Sequence, residues 1–299
     1  MSAIAVLNAG SSSIKLAVYS NAPTPELLLK GRFEGIGAMP KALIFAADGR
    51  LQSEQQTGPV GHDEATQILV GMANRALGNA EFSAIGHRVV HGGPHNAAPA
   101  MVDDALLDDL ESYVPLAPLH QPHNLAPIRL IRKLMPALPQ VACFDTAFHI
   151  GQAWQEQAFA LPRDLTQEGV RRYGFHGTSH RFVSLKSAEI VRRPLGELEI
   201  ISCHLGPGAS LCAIDHGRSV DTTMGMTPSD GLIMPSRAGS VDPAMMIHLM
   251  DRYQMGPDAL LKLITSDSGL KGISGISSDI HEIEAAANEG HHRALLAHR

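Results

Sequence analysis

The residues of this sequence best equipped for chemistry sit in short glycine-rich stretches. GHRVVHGG (residues 86–93) carries Arg88, and FDTAFH (144–149) carries Asp145. RRYGFHGTSH (171–180) carries His176 with Thr178, Ser179 and His180, and GLIMPSRAGSVDP (231–243) carries Arg237. An arginine inside an apolar run is costly to bury unless it is paired or faces a cleft. Arg88 therefore has two readings: partner of an interior carboxylate, or a planar fork gripping a carboxylate or phosphate ligand. Asp145 stands just past an apolar run, at the strand edge where open α/β sheets bind ligands. Two arginines, one aspartate and two or three histidines in such loops suit phosphoryl transfer. That chemistry needs positive charge around the transferred group and a carboxylate for Mg²⁺.

Other chemistries compete. His87 and His91 have the spacing of paired zinc ligands, but that spacing puts two ligands on one face only in a helix. Here it runs through a strand-like segment into Gly92-Gly93, whose backbone can approach a neighbour closely. Cys143 and Cys203 sit in apolar strand-like runs, which reads as core filling rather than nucleophilic chemistry. NAGSSSIKL (8–16) could turn backbone N–H groups and the hydroxyls of Ser11, Ser12 and Ser13 toward a phosphate. Taken alone it is an ordinary polar hairpin turn, and the chain has no P-loop pattern.

Elements must hold these residues in place. Alternation predicts strands at 3–8 and 14–19 around the GSSS turn, another near 42–46, a short buried one at 84–90 and one at 141–144 ending at Asp145. Helices are expected at 63–77, 103–113 and after the loop in LAPLHQPHNLAPIRLIRKLM. In the second half, strands at 199–203 and 211–215 flank a Gly-Pro-Gly turn, and 280–299 reads as helical, with Ile283, Ala286, Leu295 and Leu296 as its apolar positions. The two hairpins, NAGSSSIKL and HLGPGASLC, suggest a weak internal duplication: two α/β domains, 1–150 and 151–299, facing one cleft, each with a phosphate-facing turn.

Composition narrows the partners. The 299 residues exceed one ordinary core and suit two domains, with 44% hydrophobic and 18% charged residues. A net charge of −6 without a basic run, and 4% aromatics, argue against nucleic-acid binding. No apolar run is long enough to span a membrane, no signal peptide is read at Met1-Ser2-Ala3-Ile4, and the three irregularly spaced cysteines suit a reduced, cytoplasmic protein.

The stretches NAGSSSIKL, GHRVVHGG, PLHQPHNL, FDTAFH, YGFHGTSH, HLGPGAS, SVDTTMGMTPSDGL, SRAGSVDP and SGLKGISGISSDIHEI occur in this order. Together they resemble the acetate/propionate kinase family across residues 3–298. The resemblance implies two duplicated ribonuclease-H-like domains of the actin/Hsp70/sugar-kinase type around a cleft. It implies reversible in-line transfer of the ATP γ-phosphoryl group to acetate with Mg²⁺ or Mn²⁺, giving acetyl phosphate and ADP, in a homodimer. By the same resemblance, Arg88 and Arg237 bind the carboxylate and the transferring group. His176 and His120 are active-site histidines, Asp145 is the carboxylate near the metal, and Asn8 faces the metal. Ser11, Ser12, Lys15, His204, Gly206 and Gly208 face the nucleotide phosphates. Val90, Leu119, Phe175 and Pro228 form an apolar cup for the acetate methyl.

The sequence departs from the family in three places. Pro207 stands where the family has an asparagine, removing an N–H from the second turn. Pro235 and Ser240 replace family residues around Arg237, with loss of an acidic neighbour. Family members are longer, so the second domain is expected to be incomplete at its C-terminus, without the adenosine-binding loop. The alternatives are a non-catalytic remnant and a kinase for propionate or another short-chain carboxylate.

Overall fold

Every second residue of the first strand is small or aliphatic, and this alternation sets one face against helices and leaves the other for polar side chains. The computed structural model describes residues 2–78 and 80–299. The chain divides into two units, Met1–Ala147 and Phe148–Arg299.

In the first unit, β1 (Ser2–Ala9), β2 (Ser13–Ser20), β3 (Leu27–Glu34), β4 (Lys41–Ala46) and β5 (Leu51–Gln56) form an antiparallel meander. Helix α1 (His62–Ala76) crosses to β6 (Glu81–Val89), which pairs parallel to β1. After β7 (Ala100–Met101), α2 (Asp104–Ser112) and α3 (Gln121–Leu134), strand β8 (Gln140–Phe144) pairs parallel to β6. The eight-stranded order is β5-β4-β3-β2-β1-β6-β8-β7. This is a large mixed sheet in an α/β fold.

Ala3, Ala5 and Leu7 of β1, Leu16 and Val18 of β2, Phe33 of β3 and Ile85 of β6 pack against Leu69 and Ala73 of α1 and Ile131 of α3. A second cluster joins Val89, Leu107, Leu110, Leu125, Ile128 and Phe144 under α2 and α3. Leu7 pairs with His87 and Arg88 pairs with Cys143. Asn8, Arg88 and Cys143 therefore lie on the sheet face opposite the first cluster.

The second unit contains α4 (Trp154–Gln157), α5 (Arg163–Gln167) and α6 (Gly177–Val191). The three-stranded sheet β9 (Glu199–Leu205), β10 (Ala209–Asp215) and β11 (Arg218–Thr222) follows, in the order β11-β10-β9. It ends with α7 (Pro243–Tyr253), α8 (Pro257–Ser266), α9 (Gly269–Ser274), α10 (Ile280–Asn288) and α11 (His292–His298). Asp242 caps α7 with Pro243 at its first position, and Asp279 caps α10, so SVDP and SSDIHEI are in part helix starts.

Three expectations need correction. β3 and β5 extend the meander where no strands were read. The tail is two helices rather than one, broken at Gly290, whose φ of 86° lies in the left-handed region, with His291 capping the second. Leu296 is exposed, and Ala294 takes the buried position beside Ile283. Cys203 is exposed rather than core-filling, because it shares the exposed face of β9 with Ile201 and Leu205, opposite buried Ser202.

Candidate active site

The first unit assembles Asn8, Arg88 and Asp145. Asp145 follows β8, and its N–H bonds to the Val89 carbonyl at 3.0 Å. The Asp145 Oδ2 accepts from Arg88 Nε at 2.9 Å and from Nη2 at 2.5 Å. Arg88 Nη1 donates to Asn8 Oδ1 at 3.1 Å. The Asp145 side chain is 1% exposed and that of Arg88 31%. Burial works against the Arg88 charge, but the field and hydrogen bonds of Asp145 more than offset it, leaving the pKa raised. The interior-carboxylate reading of Arg88 is thus met, by another of the candidate residues.

Further groups frame this cluster. Lys15 pairs with Asn8 across the hairpin and is exposed, as are Ser11 and Ser12. The first turn closes with the Gly10 N–H on the Ser13 carbonyl at 2.8 Å, and His62 Nε2 lies 2.9 Å from the Gly10 carbonyl oxygen. The Asn124 amide donates to the Ala9 carbonyl at 2.6 Å and accepts from the Val90 N–H at 2.8 Å, tying the ends of β1 and β6 to α3. His120 immediately precedes α3. Val90 is buried, whereas Leu119 is 46% exposed.

Gly92 and Gly93 do approach closely, but to protein rings. A Cβ on Gly92 would meet Phe144 at 2.6 Å, and one on Gly93, with φ 69°, would meet Tyr113. His87 faces the core and bonds to Gln140 at 2.8 Å, and His91 stacks on Tyr113. Burial pushes both imidazoles down to about 4.

The second unit gathers His176, His180 and His204 with Arg237 and the Gly206–Gly208 turn. His176 caps α6 in the left-handed region at φ 58°, a strained setting for a side-chain-bearing residue and one concentrated at functional sites. Its ring stacks on His204 at 4.0 Å, and His204 Nδ1 lies 2.9 Å from Ser179 Oγ. His149 bonds to Ser219 at 2.8 Å and to the Phe175 carbonyl at 3.0 Å.

A Cβ on Gly208 would lie 3.1 Å from His176 Nε2 and 3.5 Å from Arg237 Nη1, so both side chains converge beside a turn with no side chain in the way. Arg237 Nη1 donates to the Pro228 carbonyl at 2.9 Å, and burial lowers its pKa. Phe175 and Pro228 are buried. Ser240 donates to Asp230 at 2.6 Å and accepts from the Gly231 N–H at 3.1 Å, a role a carboxylate at 240 could not take.

The sequence reading named most of these residues, His180 among them, but missed Ser202, Ser210 and Asn124. The serines and Asn124 carry no chemistry that marks them apart from their surroundings.

As to a divalent cation, Asn8 and Asp145 offer an amide and a carboxylate oxygen drawn to one guanidinium. Hard oxygens of this kind suit Mg²⁺ or Mn²⁺, which take one or two protein ligands and fill the rest with phosphate and water. Among the described residues no group of three acidic, histidine or cysteine side chains forms a self-sufficient cage.

Fold and side chains together define an α/β protein with arginines and histidines clustered beside its glycine turns. The acetokinase family matches residues 3–299, and the chain belongs to that family. The acetate kinase of Thermoanaerobacter pseudethanolicus is 42% identical over 301 residues, covering 98% of this chain and 75% of that protein. Among solved structures, the Porphyromonas gingivalis acetate kinase has a TM-score of 0.86 at 37% identity, covering 99% of this chain and 76% of that one. A propionate kinase from Francisella tularensis has a TM-score of 0.90 at 35% identity, with the same coverage.

Proposed function

We propose that this protein transfers the γ-phosphoryl group of ATP to acetate, reversibly and in line, giving acetyl phosphate and ADP without a covalent enzyme intermediate. The observation that carries the reading is the convergence of His176 and Arg237 beside Gly208, two side-chain nitrogens that meet near one point next to an open backbone turn. Donors fixed before reaction are what phosphoryl transfer needs, because charge spreads over the equatorial oxygens of the transferred group. In this assignment His176 and Arg237 hold that group, and His204 and the Gly206–Gly208 turn face the nucleotide phosphates with Ser11, Ser12 and Lys15. Arg88 orients the acetate carboxylate, with His120 beside the acceptor. Val90, Leu119, Phe175 and Pro228 form the apolar cup for the methyl group. Asn8 and Asp145 would hold Mg²⁺ arriving with the nucleotide. A cation held there would offset the negative charge of the phosphates. The Arg88 pairing fixes the position of the Asp145 carboxylate for that task. Homodimer assembly belongs to the same proposal.

Propionate is a second reading, supported by the likeness to a propionate kinase structure. One methylene changes such preferences by only about 1–3 kcal/mol. Hydroxylamine trapping with ATP and Mg²⁺, run in parallel with acetate, propionate and butyrate, tests both. Acyl hydroxamate with acetate at the highest kcat/KM is expected. A propionate maximum would replace the first reading with the second. No product together with no MgATP binding by calorimetry would overturn both and leave a non-catalytic remnant.

A further inference from the structure

Behind His176 runs a line of hydrogen bonds that the proposed reaction does not use directly. Ser202 Oγ lies 2.9 Å from His180 Nδ1. His180 Nε2 lies 2.9 Å from Ser210 Oγ. Ser210 Oγ lies 2.8 Å from His176 Nδ1. Ser202 sits on β9, Ser210 on β10 and both histidines at the start of α6, so three rigid elements fix the line. Ser202, Ser210 and His180 are all buried, with His180 and Ser210 fully so. Ser210 also pairs with His204 across the β9–β10 hairpin, which sets it under the His176–His204 stack.

A serine hydroxyl has one proton to donate, and a neutral imidazole has one N–H and one lone pair. Ser210 lies between two imidazole nitrogens and has one proton, so it can donate to only one of them. With both rings neutral, two settings use that proton within the line. In one, Ser202 donates to His180 Nδ1, His180 Nε2–H donates to Ser210, Ser210 donates to His176 Nδ1, and His176 carries its proton on Nε2. In the other, every bond reverses and His176 presents a lone pair at Nε2. Phosphoryl oxygens only accept hydrogen bonds, so only the first setting lets His176 assist Arg237 beside Gly208.

We infer that Ser202, His180 and Ser210 are positioning residues that lock the His176 imidazole as its Nε2–H tautomer and hold that N–H toward Gly208. The line of hydrogen bonds stands independently of the proposed reaction. The choice of this tautomer over its reverse, and its use as a donor to the transferring phosphoryl group, rest on that reaction.

The test is long-range ¹H–¹⁵N correlation NMR of the full chain labelled in histidine, with His176 and His180 assigned from His176→Gln and His180→Gln spectra. The expected result is a protonated Nε2 and a bare Nδ1 on both rings of the unaltered protein. In Ser210→Ala the His176 tautomer should become mixed. In Ser202→Ala, three hydrogen bonds from His176, both rings should lose their single tautomer, which a serine serving only as packing would not cause. A proton on Nδ1 of His176 in the unaltered protein overturns the inference, as does an unchanged His176 tautomer in Ser202→Ala. Should Ser210→Ala fail to fold, the unaltered protein and Ser202→Ala still decide. Kinetics separate the two proposals. An active kinase should lose about 10²-fold in kcat in Ser210→Ala with a smaller change in KM, as expected for a donor used in the transition state. The expected tautomers in a protein with no kinase activity would sink the reaction assignment and leave the lock standing.

Discussion

The two units treat buried polar chemistry in opposite ways. The first holds charge with charge: Arg88, Asp145 and Asn8 form one ion-paired knot under the β1–β2 hairpin. The second threads imidazoles through serine hydroxyls and gives Arg237 a backbone carbonyl beside the β9–β10 hairpin. Their turns differ too. Gly10–Ser13 supplies hydroxyls, whereas Gly206-Pro207-Gly208 supplies bare backbone. The lesson is that an ion pair ties stability to activity, while a hydroxyl–imidazole line sets a proton's position without demanding a net charge.

The sharpest way to break this comparison is to remove one arginine from each unit. Arg88→Ala strands Asp145, and breaking such a buried pair costs about 3–5 kcal/mol of stability. It should also cost about 10³–10⁵-fold in kcat. Arg237→Ala should show a kcat loss of about 10³-fold with stability within about 1 kcal/mol, because burial alone lowers its pKa and removal relieves that desolvation. Denaturant midpoints beside kcat decide the matter. Equal stability losses in the two variants would erase the contrast.

A pH series sharpens it next. His87 and His91 of the first unit stay neutral down to about 4, while the unfolded chain protonates near the ordinary 6.5. The unfolded state then binds more protons between those values, so stability is full above pH 6.5 and falls as pH drops toward 4. Each histidine should cost about 2 kcal/mol by pH 5. Amide exchange in β1 and β6, corrected for intrinsic rates, reads this, and a flat profile would contradict it.

The smallest effect concerns the turns. Gly208→Ala puts a methyl 3.1 Å from His176 Nε2 and should lower kcat/KM about tenfold, the order expected of mild overpacking. Gly206→Ala, with its nearest protein neighbour at 3.6 Å, should cost less, since its methyl would meet only the phosphates that the turn faces. Parity between the two would show that the convergence beside Gly208 is not where the chemistry happens.

Much of the first unit was legible because β1, β2 and β6 each bury one face, and alternation records that burial. β5 was not, since Leu51–Gln56 is exposed throughout and an edge strand needs no apolar face. β3 hides behind Gly31, whose missing side chain makes room for Leu69 of α1 and Ile44 of β4. The tail read as one helix because its apolar spacing survives the break at Gly290. Within the site, Arg88 and Asp145 could each be named from local motifs, but not their partnership, which joins residues 57 apart. Ser210 and Ser202 were invisible for a different reason: their role lies in what they touch, and serine occurs anywhere.

Asn124 shows how chemical wear would reach this site. Its amide donates to Ala9 and accepts from Val90, bridging two strand ends with one side chain of each polarity. The residue nearest in shape is therefore among the worst replacements. An aspartate would still accept from Val90 but would set oxygen against the Ala9 carbonyl. Spontaneous loss of ammonia from this one amide would turn a clasp into a wedge, loosening the hairpin that carries Asn8 while leaving the volume of the interior almost unchanged.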